Sequence, residues 1–173
     1  MVLEPALASQ FIRGYTMLLL EIGGQDHQDQ VLLHRLAAAR ILLVNNSKLL
    51  DLAVESLTQK SVEVDTKVVV ALRSLRLKKW VYLRDTRSYS VFIDDESEEA
   101  FAVSGLNDRL RDIVGDSGAF LEIGLLPFAG RFVCDGIITQ VVWLGRGIRG
   151  ELNETFAEIK AAGRFYVKAP ELD

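Results

Sequence analysis

Apolar residues recur every three or four positions through the first third of the chain. Leu7, Phe11, Tyr15, Leu18, Leu19 and Ile22 would share one face of a helix. Pro5 suits its first turn, where a missing N–H costs nothing, and Gly23-Gly24 supplies the stop. A polar connector, Gln25 to Asp29, leads to a second helical pattern marked by Leu32, Leu33, Leu36, Ala37, Leu43 and Val44. Asn45-Asn46-Ser47 breaks it and offers a new N-cap, after which Leu49, Leu50, Leu52, Ala53 and Leu57 continue helically. Asp65-Thr66 predicts one more short helix, ending near Leu72.

The period changes at Leu75. Leu75, Leu77, Val81 and Leu83 alternate with Arg76, Lys78, Trp80, Tyr82 and Arg84, the period-2 pattern of a strand with one core face. Lys79 is the exception on the core side. Turn chemistry at Asp85 to Ser88 and strand formers from Tyr89 to Ile93 predict a hairpin. A short strand at Ala100 to Val103 and a short helix capped by Asn107 come next. Strands are then expected at Ala119 to Leu126, Arg131 to Asp135 and Ile137 to Leu144. Pro127 to Gly130 joins the first two tightly. A final helix carries Leu152, Phe156, Ile159 and Ala162 on one face. Helices first and antiparallel strands later predict an α+β fold. Its helical region, residues 1–74, would pack on a mainly antiparallel sheet closed by a C-terminal helix, residues 75–173, all within a single domain 1–173.

Composition narrows the class. The 173 residues are 49% hydrophobic and 25% charged, values of a globular chain long enough to bury a core without metal or disulfide. No apolar run approaches the roughly 20 residues that span a bilayer, so no membrane partner is expected. No secretory signal is visible, and the lone Cys134 cannot form an internal disulfide, which together predict a cytoplasmic protein. The net charge of -4 is segregated: residues 67–93 carry +6 and residues 94–136 carry -7.

Three groups of residues could carry chemistry. Arg131 and Asp135, four apart on a strand, share a face and could position an anionic ligand together with Arg149. A structural ion pair accounts for the first two more simply, and no histidine accompanies them. Gly145-Arg146-Gly147-Ile148-Arg149-Gly150 precedes a helix and could hold phosphate, but it lacks the Walker lysine, and a turn needing glycine is the plainer reading. Arg76, Lys78, Trp80, Tyr82 and Arg84 would form one strand face of cations and aromatics, as a single-stranded nucleic acid platform requires. The competing account packs the aromatics under the N-terminal helices and neutralises the charges on Asp94 to Glu99. His27 and His34 stand about two helical turns apart, Cys134 has no histidine partner, and Asp94 to Glu99 lacks calcium-loop spacing. No metal and no cofactor are expected.

Three stretches together carry a family resemblance: Tyr89-Ser90-Val91-Phe92-Ile93 with Val103-Ser104-Gly105-Leu106, Leu125 to Gly136, and Gly145 to Arg149 with Leu152-Asn153-Glu154. From about Leu75 to Gly163 the chain resembles a family of uncharacterised bacterial proteins sharing the pattern LLPFxGRxVxDG followed by GxGIR. Family members usually carry tyrosine where Cys134 stands. The resemblance implies a shared fold and brings no activity with it. Three function classes follow from the residues. The first is a structural or protein-interaction module, with itself as a homodimer or with another protein. The others are a single-stranded nucleic acid binder using residues 76–84 and an enzyme acting on an anionic small molecule.

Overall fold

The computed structural model describes residues 1–24 and 31–171. Four helices lead: α1 (Pro5–Gly23), α2 (Leu32–Asn45), α3 (Lys48–Gln59) and α4 (Thr66–Arg73). On α1 the expected apolar face is the buried one, through Ala8, Phe11, Tyr15, Leu18 and Leu19. Asp65 caps α4 by accepting from the Lys67 and Val68 amides. A Cβ at Gly14 would lie 3.1 Å from Val68, so this glycine sets how closely α1 and α4 approach. The predicted connector Gln25 to Asp29, with His27, lies outside the described residues.

Helix α2 is where the pattern predicts it, but the apolar residues that mark it do not all face inward: Leu32, Leu33 and Val44 are exposed, while Ala39, Arg40 and Leu43 are buried. The helix is apolar nearly all round, so spacing alone does not choose a face. The choice is made by an arginine that finds a buried partner.

The strands are β1 (Arg76–Asp85), β2 (Ser90–Ile93), β3 (Ala100–Ser104), β4 (Ala119–Phe128), β5 (Arg131–Cys134), β6 (Gln140–Trp143) and β7 (Phe165–Tyr166). The expected antiparallel sheet is present, and it closes on itself. β1 pairs β2 over its second half and β4 over its first. β2 pairs β3, β3 runs parallel to β5, and β5 returns antiparallel to β4. A short helix, α5 (Leu110–Val114), connects β3 to β4. A ring ordered β1-β2-β3-β5-β4 with a helix after β3 is the five-stranded Greek-key barrel called an OB-fold. No sequence period reports ring closure, because a strand paired on one edge and a strand paired on both show the same alternation. The β4–β5 hairpin turns through Ala129 and Gly130, both at positive φ.

Three layers of core result. Trp80, Tyr82, Phe92, Phe101, Val103, Leu121, Ile123 and Cys134 fill the barrel, with Leu110 of α5 at one end. The helical region covers one outer side, where Phe11, Leu18 and Leu43 meet Leu126, Phe128, Val133 and Ile137. The C-terminal helix α6 (Arg146–Ala161) covers another, laying Phe156 and Ile159 on Val81, Val91, Ile93 and Ala100. Two boundaries differ from expectation. α6 starts at Arg146, so Gly147 and Gly150 lie inside its first turns rather than in a preceding loop. α5 starts after Arg109 without the Asn107 cap. No described helix is long and apolar enough to cross a membrane.

Candidate functional site

The predicted anion site does not assemble as one cluster. Arg131 is exposed at the start of β5, where its Nη1 reaches the Met1 sulfur at 3.0 Å. Arg149 belongs to α6 and points its Nη2 at the Gly118 carbonyl, 3.4 Å away. Asp135 does lie on the same side of its strand as Arg131, but under the helices, 4% exposed. Its ion-pair partner is Arg40 of α2, not Arg131.

Asp135 is the centre of a buried polar cluster. Its Oδ2 accepts from Arg40 Nη1 at 2.8 Å and from the Tyr15 hydroxyl at 2.9 Å. Its Oδ1 accepts from the backbone amides of Gly124 and Ile137 at 3.2 and 3.1 Å. Arg40 Nη1 also donates to the Ile137 carbonyl at 2.6 Å. A Cβ at Gly124 would sit 2.5 Å from Asp135 Oδ2, so the carboxylate rests directly on that glycine. Burial pushes the Asp135 carboxyl above the usual range, and the Arg40 guanidinium opposes that rise. Burial and the Asp135 charge hold the Tyr15 phenol well above its ordinary value, so it stays a neutral donor. This cluster bolts α1 and α2 to the barrel. The carboxylate takes four donors, and the Arg40 and Asp135 side chains are fully buried, while Arg40 Nε and Nη2 meet no acceptor among the described residues.

The cation-aromatic face is divided by the fold. Trp80 is 1% exposed and Tyr82 0%, both inside the barrel rather than beneath the N-terminal helices. The Trp80 indole donates to the Ile123 carbonyl at 3.0 Å. A base cannot stack on either ring. Arg84 leaves the shared face altogether: the pairing register shifts between Tyr82 and Arg84, and the bulge turns Arg84 outward over the Phe156 ring of α6. Lys78 pairs with Asp95 at 3.4 Å and Arg76 with Glu99 at 3.7 Å, so the basic island does meet the acidic loop. The outer face of strands 2 and 3, where OB-folds bind oligonucleotides, lies under α6.

What remains open is an edge. β6 pairs β4 from Ala119↔Trp143 to Glu122↔Gln140 and has no second neighbour among the described residues. The Leu144 amide donates to the Gly118 carbonyl at 2.9 Å, so backbone groups two and four residues back face β4 as well. Those of Val141 and Trp143 therefore point away, unpaired. The side chains are exposed and apolar: Val141 40%, Val142 47% and Trp143 51%. The stretch from Gly136 to Gly145 contains no charge. Edge strands are usually blunted by charges, prolines or a covering element, and β6 has none of these.

The chain matches no family model, no curated protein and no solved structure.

The apolar run of residues 137–144 predicts a strand. The structure makes its second half a solvent-facing edge. One signal was present in the sequence: Val141-Val142-Trp143 places apolar residues on both faces of a strand, as only a strand covered on both sides can use. Burial of Arg40 left a weaker one, a cation set between alanines and leucines in the second half of α2. Cys134 sits inside the barrel, where burial and the neighbouring Asp135 charge push its thiol up to about 12, an unreactive value. Among the described residues no three His, Cys, Asp or Glu side chains gather as a metal site.

Proposed function

We propose that the protein is an interaction module that pairs with a second copy of itself through β6. The observation carrying this reading is an apolar, uncharged strand whose outer backbone edge is unpaired. Free N–H and C=O groups in a row are complemented by another strand, which fixes the kind of partner. A second copy meets the requirement without repulsion, because the uncharged run from Gly136 to Gly145 keeps the net charge of -4 away from the contact. Antiparallel pairing about a two-fold axis through Val142 would set Val141 against the partner's Trp143, each turning its outward backbone groups to the other. Such pairing closes both edges with one surface.

The test is the mass in solution by light scattering or sedimentation. A dimer of the 19.3 kDa chain is expected at micromolar concentration. Val141→Pro removes an outward N–H, and Trp143→Lys places a charge on the strand; each should return a folded monomer. A wild-type monomer at all concentrations, with fast amide exchange at Val141 and Trp143, would refute self-pairing. Stable capture of an unrelated strand peptide by that monomer would assign the edge to another protein.

A further inference from the structure

The barrel has a second opening of different character. At the end opposite α5, a cavity of about 350 Å³ enters the barrel between the start of β1, the start of β3 and the β4–β5 hairpin. Its floor is aromatic and aliphatic: Trp80, Phe101, Leu125 and Phe132. The rings are set edge to face, with Phe101 at 5.6 Å from Trp80 and 5.0 Å from Phe132 between centroids. The rim carries Arg76, Glu99 and Tyr166. Barrel mouths of this volume, mostly apolar with a few convergent polar groups, are where small molecules bind.

The hydrogen-bond inventory of the rim selects the ligand. The Tyr166 hydroxyl donates to Glu99 Oε1 at 3.0 Å. Glu99 Oε2 faces Arg76 Nη1 at 3.7 Å, too long for a hydrogen bond. Arg76 makes no side-chain hydrogen bond to any described residue, and its guanidinium stands 5.8 Å over the Phe101 ring. Arg76 thus has an ionic neighbour in Glu99 but no hydrogen bond to it, which leaves a planar fork of donors unfilled above an aromatic floor. A planar fork matches a carboxylate in two parallel bonds. The strap that forms one wall is held by pairing of β7 with Ala100 and Phe101 of β3, by Tyr166 stacked on Phe101 at 5.4 Å, and by one backbone bond from Ala169 to Gly130.

We propose that this cavity is a binding site for a small aromatic carboxylic acid, its ring against Phe101 and Phe132 and its carboxylate on Arg76. The reading is independent of β6, which lies on another edge of the barrel. The probes are 2-naphthoate and the uncharged 2-naphthalenemethanol, titrated calorimetrically into the intact chain. One saturable site is expected for the acid, with weaker binding of the alcohol. Arg76→Gln, an exposed substitution that leaves the core intact, should weaken the acid at least tenfold and leave the alcohol unchanged. Phe132→Ala should weaken both. Slower amide exchange at Phe165 and Tyr166 on adding the acid should accompany binding. Absence of saturable binding by the acid would overturn the proposal, as would acid binding that Arg76→Gln leaves untouched.

Discussion

Removing Arg40 tests whether the Asp135 cluster holds the helices to the barrel. Arg40→Met keeps an unbranched apolar stem out to the Nε position and deletes the guanidinium with its charge. Asp135 then stays fully buried with three of its four donors, Tyr15, Gly124 and Ile137, and no cation. Breaking a buried ion pair from one side costs about 3–5 kcal/mol. Asp135→Asn breaks it from the other. The new amide must turn its NH₂ toward Arg40 or toward the backbone amides, donor against donor in either case, and a similar cost of about 3–5 kcal/mol is expected. The double variant carries no buried charge, so its loss should fall short of the sum by about 2 kcal/mol or more. Tyr15→Phe calibrates the scale, since it deletes one neutral donor to the charged carboxylate, for about 1.5–3 kcal/mol. Urea unfolding followed by circular dichroism measures all four. The pH dependence carries a sign. Without Arg40, the force opposing the rise of the Asp135 carboxyl is gone, so the folded state favours its protonated form more strongly. That penalty is absent below the unfolded carboxyl range near 4 and grows as pH rises toward 7. Arg40→Met should therefore cost more at pH 7 than at pH 4.5. Additivity of the two single variants within about 0.5 kcal/mol, or a cost for Arg40→Met that does not grow with pH, would refute the reasoning.

Three further outcomes are expected. Cys134 should stay unmodified by a thiol reagent at pH 8 in the native protein and react fully once unfolded, since burial holds the thiol up to about 12; native labelling would contradict its place in the barrel. Trp80→Ala should lower stability by about 3–5 kcal/mol, the cost of emptying a large core position, and a loss under 1 kcal/mol by urea midpoint would count against it. Ala129→Asn should raise stability by about 1 kcal/mol, because Ala129 sits at φ 51° beside Gly130 in a turn that favours Asn-Gly; an unchanged midpoint would show the turn carries no strain.

The order of elements was legible because most of them expose one face and bury the other. α1 and β1 through β5 sit within a few residues of the positions their apolar spacing predicts. Where a face is not one-sided, spacing misleads. α2 is apolar on every side, and the face it buries is chosen by Arg40 meeting an aspartate that lies 95 residues later. The shared face of Arg76 to Arg84 fails for a different reason: a bulge after Tyr82 adds a residue to the strand, which no alternation announces. The barrel-mouth site was hidden because its residues come from the ends of separate elements, Arg76, Glu99, Phe132 and Tyr166, and meet only after the ring closes. Alternation along β1 marks Arg76 and Trp80, and the acidic run marks Glu99, but nothing in the spacing joins them to Phe132 and Tyr166.

That same 95-residue span has a consequence for the order in which the protein is made. A ribosome adds roughly 5–20 residues each second, so Arg40 leaves the exit tunnel about 5–20 s before Asp135 does. During that interval α1 to α4 lack the barrel side of the core that Phe11, Leu18 and Leu43 share, because Phe128, Val133 and Ile137 are not yet available. β1 is equally stranded, since it must wait for β4 to occupy one edge. Neither half of the chain can finish first. The nascent protein must hold its helical third in a sticky, open form until its last strands arrive, and a chaperone has a window of several seconds in which to find it.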